Sequence, residues 1–177
     1  VGGDRPYTEA ELAQRERDQQ DPEFLTWLAA MDDELALFFE RDVPDMPADP
    51  WSEEGLRHAE QAALRYFWDR EPGDLSWRRE REKRFRRYLG EVFVRNFEGT
   101  WMWIDVNRNG TKAPVVSEPA NPEYLQVEGQ VDGALGDRTG GAWVQLFGYA
   151  RRAYNDWVAA GRLSPDEWFD YQVEHGL

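Results

Sequence analysis

Arg87-Tyr88-Leu89-Gly90-Glu91-Val92-Phe93-Val94-Arg95-Asn96-Phe97-Glu98-Gly99-Thr100-Trp101-Met102-Trp103-Ile104-Asp105-Val106 changes its hydrophobic period half-way along. Before Gly99 the apolar positions Phe85, Tyr88, Leu89, Val92 and Phe93, with Asn96 beside them, recur at three and four, which predicts a helix from about Ser76 to Phe97 with one buried side. After Gly99, aromatic and β-branched residues follow one another, the composition of a strand. Asn109-Gly110 is a hairpin signal, and Ala113-Pro114-Val115-Val116 returns as the second strand. Pro114 lacks an N–H and belongs at an edge or a strand start. Tyr124 to Glu128 is a candidate third strand.

Upstream, Thr8-Glu9-Ala10-Glu11 reads as a capping box for a helix over about 9–19, an N-terminal arm. Asp21-Pro22 opens a helix to about Glu40, with Phe24, Leu25, Leu28, Met31, Leu35, Phe38 and Phe39 on one face. Pro44, Pro47 and Pro50 make an extended connector, and Ser52 caps a third helix with Leu56, Ala59, Ala63, Tyr66 and Phe67 inward and Pro72-Gly73 as its stop. Downstream, Gly133 to Gly141 reads as a glycine-rich loop. A helix follows with Trp143, Leu146, Phe147, Ala150, Tyr154, Trp157 and Val158 on one face, and Ser164-Pro165-Asp166-Glu167 caps a last helix carrying Trp168 and Tyr171. The expected fold is α+β: a predominantly helical single domain, residues 21–177, with a small antiparallel sheet whose hairpin lies near residues 100–117, preceded by the arm of residues 1–20.

Composition narrows the chemistry. The 177 residues include nine Trp, nine Phe, seven Tyr and no Cys. That aromatic content is a folded core's, and the missing thiols exclude disulfides, Cys-ligated metals and thiol catalysis. His58 and His175 stand far apart and outside any metal-binding or catalytic spacing, and no GxSxG or GxxxxGK[ST] sequence occurs, so no metal, cofactor or catalytic residue is expected. The net charge is −14, and residues 1–60 hold 17 acids against 5 bases. Such a surface repels phosphate backbones and anionic lipid, which argues against nucleic-acid and membrane partners and for a basic protein partner. With no apolar stretch for a signal or a membrane span, the expected location is cytoplasmic.

Arg78 to Arg87 holds seven bases in ten residues. Its interleaved glutamates favour a counter-charge to the acidic first third over an RNA-binding helix. Glu91, beside Gly90 at the border of the buried face, is read as a structural acceptor, for Arg95 or for backbone after Gly99. Trp101 and Trp103 share a face, and form an aromatic interface patch if no helix covers it.

The stretch Arg87 to Trp101, followed by a strand and Pro114-Val115-Val116, is similar to a pattern in small uncharacterised bacterial proteins. In size, acidity and lack of a catalytic set, the chain resembles acidic immunity proteins that neutralise secreted bacterial toxins, among them the immunity factor of the mycobacterial NAD-glycohydrolase toxin. The resemblance implies a non-enzymatic inhibitor that plugs a toxin's cleft, and it supplies no functional residue. The contact candidates come from the expected loops: Asn107, Arg108 and Asn109 at the hairpin tip, and Asp132, Asp137, Arg138 and Thr139 around the glycine-rich segment. Two other readings are a small enzyme using carboxylates in an aromatic cleft and a structural adaptor.

Overall fold

A computed structural model describes residues 8–68, 76–106 and 109–177. Helix α5 (Ser76–Asn96) is the axis of the molecule. Phe85, Tyr88, Leu89, Val92 and Phe93 on its inner side are all but fully buried, and they join one apolar cluster fed by almost every other element. Phe38 stacks on Tyr88 at 4.6 Å and meets Phe85 edge-on at 5.0 Å, so the aromatic richness of the sequence is spent largely on ring-to-ring packing around α5.

The N-terminal elements wrap this axis. Helix α1 (Glu9–Asp18) begins at the expected capping box, with Thr8 and Glu11 satisfying each other's backbone N–H groups. The single helix expected from Asp21 to about Glu40 is divided: α2 (Pro22–Ala29) and α3 (Met31–Leu37) meet at Ala30, and the chain then widens into a π-helical turn, Phe38–Asp42. The widening brings Asp42 inward, where two arginines of α5 hold its carboxylate. The proline connector leads to α4 (Glu53–Tyr66), capped by Ser52. Phe67 is buried as expected. Tyr66 is not: it is 37% exposed, with the Arg81 guanidinium 4.0 Å from its ring centre. Pro72-Gly73, the expected stop, lies outside the described residues.

The sheet is antiparallel in the order β1-β2-β3, with β1 (Thr100–Ile104), β2 (Ala113–Glu118) and β3 (Asn121–Leu125). The third strand therefore starts earlier than Tyr124, and Val127 already belongs to a helix. Pro114 sits in the central strand without losing a ladder bond. It pairs with Trp103, whose N–H and C=O point away from β2 to the side chain of Gln19, so the pair exchanges no bonds. On Pro114's other side β3 reaches only as far as Leu125, opposite Val116. Gln19 thus closes the free edge of β1, its amide accepting from Trp103 N at 2.9 Å and donating to Trp103 O at 3.1 Å. Trp101 and Trp103 are covered: Trp103 stacks on Phe24 at 5.6 Å and Trp101 meets Trp27 edge-on at 4.8 Å, which removes the aromatic patch anticipated on this strand.

The expected loop over Gly133 to Gly141 is also corrected. Helix α6 (Val127–Asp137) runs through most of it and ends at Arg138 in a left-handed conformation. Val127, Val131 and Ala134 bury one side of α6, while Gly133 and Gly136 fall on the solvent side. Burial of that apolar stripe outweighs the roughly 1 kcal/mol that each helical glycine costs. Helix α7 (Ala142–Ala159) buries Trp143, Phe147, Ala150 and Trp157, and α8 (Pro165–His175) opens at the second expected capping box and closes a smaller cluster of Ala120, Trp157 and Trp168.

Candidate functional site

Five polar or charged side chains are buried among the described residues: Asp42, Glu60, Arg87, Glu91 and Glu118. Their surroundings divide them into groups that hold the fold together and one that does not, because a buried charge without a partner is costly.

Asp42 is gripped from α5. Arg81 Nε donates to its Oδ1 at 2.9 Å, and Arg84 donates to both oxygens, at 2.5 and 3.1 Å. The Asp42 carboxylate in turn holds the Arg84 guanidinium above its ordinary pKa. Glu60 of α4 reaches the start of α7, which lacks a capping side chain of its own, and accepts the N–H groups of Ala142 and Trp143, each at 3.0 Å. A carboxylate from another helix thereby does the work of an N-cap and complements the helix dipole. Glu91 accepts the Trp101 indole N–H at 2.8 Å and Arg95 Nε at 3.1 Å. Gly90 supplies the space for that indole: a Cβ there would lie 2.0 Å from Trp101 Cη2. The Gly-Glu pair of the deciding stretch is a seat for a tryptophan. Of the two expected partners of Glu91, Arg95 is present and the backbone after Gly99 is not; the donor from that strand is the Trp101 indole, a side chain that was not anticipated.

Arg87 is the buried cation. Its guanidinium donates to Trp27 O at 2.8 Å and lies 4.0 Å from the centre of the Trp27 ring. Burial pulls its pKa down, partly offset by the Glu34 charge. It borders a cavity of about 360 Å³ whose wall also carries Glu23, Glu34, Glu80 and Glu128. The basic helix is therefore largely committed internally: Arg81 and Arg84 to Asp42, Arg86 to Glu128 at 2.9 Å, Arg87 to the core and Arg95 to Glu91.

Glu118 differs. It ends β2, paired with Asn121 of β3, and is only 5% exposed, and its carboxylate makes no hydrogen bond or ion pair with any described residue. It lines a cavity of about 220 Å³ between the β2–β3 turn and α8, together with Tyr124, Pro165, Trp168, Phe169 and Gln172. Burial alone, with no opposing charge, pushes its carboxyl up to about 7. A lone carboxyl does not make the pair that two-carboxylate acid–base chemistry requires, and among the described residues no second acid lines this cavity. Among the described residues no group of three or more His, Asp or Glu is placed to hold a metal ion.

The contact candidates named from the sequence are dispersed. Asn107 and Arg108 lie outside the described residues. Asn109 shapes the hairpin tip: its backbone N–H and that of Gly110 donate to the Asp105 carboxylate, and its own side chain accepts from Thr111 N. Asp132 is exposed and contacts Arg86 at 3.4 Å; Asp137 and Thr139 are exposed at the end of α6. Arg138 is turned inward, donating to Leu64 O at 2.7 Å and Phe67 O at 3.5 Å, so it satisfies the last carbonyls of α4. Asp132 and Arg138 border one groove with Trp68; the hairpin tip does not. Glu118 was not singled out from the sequence, since it looks like any acid before a Pro-Ala turn until α8 folds over it.

Comparison with known protein families, curated proteins and solved structures finds no match to this chain.

Proposed function

We propose that this protein is a non-enzymatic binding protein, an immunity-type inhibitor that docks on a basic surface of a protein partner and occludes the partner's cleft. One observation carries the reading. The arginines of α5 are drawn largely into internal bonds, whereas Asp32, Asp33 and Glu54 of the acidic first third are exposed and have no ion-pair partner among the described residues. Asp49 is exposed on the same stretch of chain, as are Glu40 and Asp45, which lie 3.9 Å from Arg41 and 3.1 Å from His58. Uncompensated negative charge steers a basic partner into encounter and repels nucleic acid and anionic lipid. Among the described residues no helix is long and apolar enough to cross a membrane. A body stiffened by stacked rings presents such a surface with little ordering cost on binding. Asn109, Asp132, Asp137 and Thr139 remain available as contacts.

The test is capture from the protein's own cells, followed by kinetics on the purified pair. The captured protein should carry a basic surface, lose its own activity in the complex, and associate more slowly as salt is added. Reversing Asp32, Asp33 and Glu40 to Lys should slow association about tenfold or more at low salt. An association rate indifferent to both salt and charge reversal, or a partner fully active in the complex, would refute the reading.

A further inference from the structure

We propose that the cavity between the β2–β3 turn and α8 is a binding site for an alkylammonium cation, with Glu118 as its counter-ion and Tyr124, Trp168 and Phe169 as its aromatic wall. Three observations converge. Glu118 is 5% exposed and lines the cavity, its carboxylate meets no donor from the described residues, and its oxygens are not sealed in the core but open to the cavity. Among the described residues every other buried carboxylate is satisfied by at least two donors, so the omission at Glu118 is not a general feature of this core. Phe169 is 63% exposed although it lines the cavity, which places an aromatic ring at the mouth. A carboxylate behind aromatic faces is the chemistry that holds an organic cation, through an ion pair and cation–π attraction together.

Size and charge limit the ligand. About 220 Å³ lies below the range of about 300–1,000 Å³ that suits drug-sized molecules, so the cavity fits a side-chain-sized group and not a nucleotide or a sugar chain. Among the described residues no cation lines the cavity. Of the charged and titratable groups on the elements packed around it, Tyr124 lines the wall and Glu123 of β3 is exposed. On α8, Asp166, Asp170 and Glu174 are exposed, Glu167 is held by the Ser164 cap, and Tyr171 stacks between Trp168 and His175. Arg15 of α1 lies 5.3 Å from the centre of the Tyr124 ring, and on α7 Arg151, Arg152 and Asp156 are exposed. None of them contributes to the raised Glu118 carboxyl, whose cause is burial alone.

The cation can arrive as a free amine or as a lysine side chain. The two are separated by titrating the full chain with n-butylammonium chloride and with an acetylated, amidated Ala-Ala-Lys-Ala peptide, observed by NMR at the Trp168 indole N–H and the backbone of residues 117–124. Saturable shifts confined to those signals are expected. Affinity should rise about thirtyfold between about pH 5.5 and about pH 8.5, because only ionised Glu118 attracts the cation and its carboxyl titrates near 7. Glu118→Gln should abolish binding and its pH dependence while leaving the Trp168 indole signal in place, since that N–H is held by Ala120 O at 3.0 Å. Tighter binding of the peptide assigns the site to a partner's lysine; tighter binding of n-butylammonium assigns it to a free amine. Binding of neutral n-butanol as strong as that of n-butylammonium, full binding by Glu118→Gln, or no saturable shift with either cation overturns the proposal. These outcomes are independent of whether charge reversal at Asp32, Asp33 and Glu40 slows association with a protein partner.

Discussion

Glu91 and Glu118 are both buried acids at the sheet end of the molecule, 8% and 5% exposed, and they are met very differently. Glu91 receives an indole N–H and a guanidinium, and the glycine before it clears room for the indole. Glu118 ends a strand under α8, and its carboxylate receives no donor from the described residues. Burial of a carboxylate is therefore no mark of function by itself. What separates an acid that builds the fold from one kept for a ligand is whether the protein supplies its donors.

The strongest test of that contrast is at the most heavily paired acid. Asp42→Ala removes the buried carboxylate that Arg81 and Arg84 share, leaving Arg84 only the more distant Glu34 at 3.8 Å, and should lower the unfolding free energy by about 3 kcal/mol in a urea titration. A loss below about 1 kcal/mol would place Asp42 with Glu118 and dissolve the distinction.

Glu118→Gln should act in the opposite direction. The folded-state carboxyl is raised to about 7 from a reference of 4.5, so its neutral form favours the folded state at low pH and that contribution is lost as pH rises from about 4.5 through about 7. At about pH 8 the ionised group costs up to about 3 kcal/mol, which Gln removes; at about pH 4 the two proteins should be equally stable. Unfolding curves at the two pH values check both the sign and the window.

Gly90→Ala should cost about 2 kcal/mol, because the added methyl collides with the Trp101 ring and the ring is fixed by its bond to Glu91. Trp101→Phe in the same background should recover part of the loss by opening space. The smallest effect is expected at the sheet edge. Gln19→Ala leaves the Trp103 backbone to water and should cost about 1 kcal/mol, with faster amide exchange at Trp103 than at its neighbours.

Much of this arrangement is written locally in the sequence. The period change at Gly99 and the two capping boxes depend on residues a few positions apart, and each appears where the spacing places it; the β1–β2 hairpin forms as well, but its strands part at Ile104 and Ala113, so Asn109-Gly110 lies within a longer connection and is not a two-residue turn. What escapes is decided by residues far away in the chain. The π-helical turn has no glycine or proline to announce it and exists where Asp42 meets arginines about forty residues on. Helix α6 contradicts its glycines because Val127, Val131 and Ala134 have a core to enter. Arg138 resembles an exposed loop cation until the end of α4 presents its carbonyls. The isolation of Glu118 is an absence of partners and has no sequence signature at all.

Site-resolved carbon-13 NMR of the Glu118 side-chain carboxyl through a pH titration of the unliganded protein bears most directly on whether this acid stands apart from the rest. A midpoint near 7 is expected, falling when n-butylammonium is added. A midpoint in the ordinary glutamate range, unmoved by the amine, would mean that Glu118 is solvated or paired like any surface acid, and the distinction between structural and ligand-ready carboxylates would not hold.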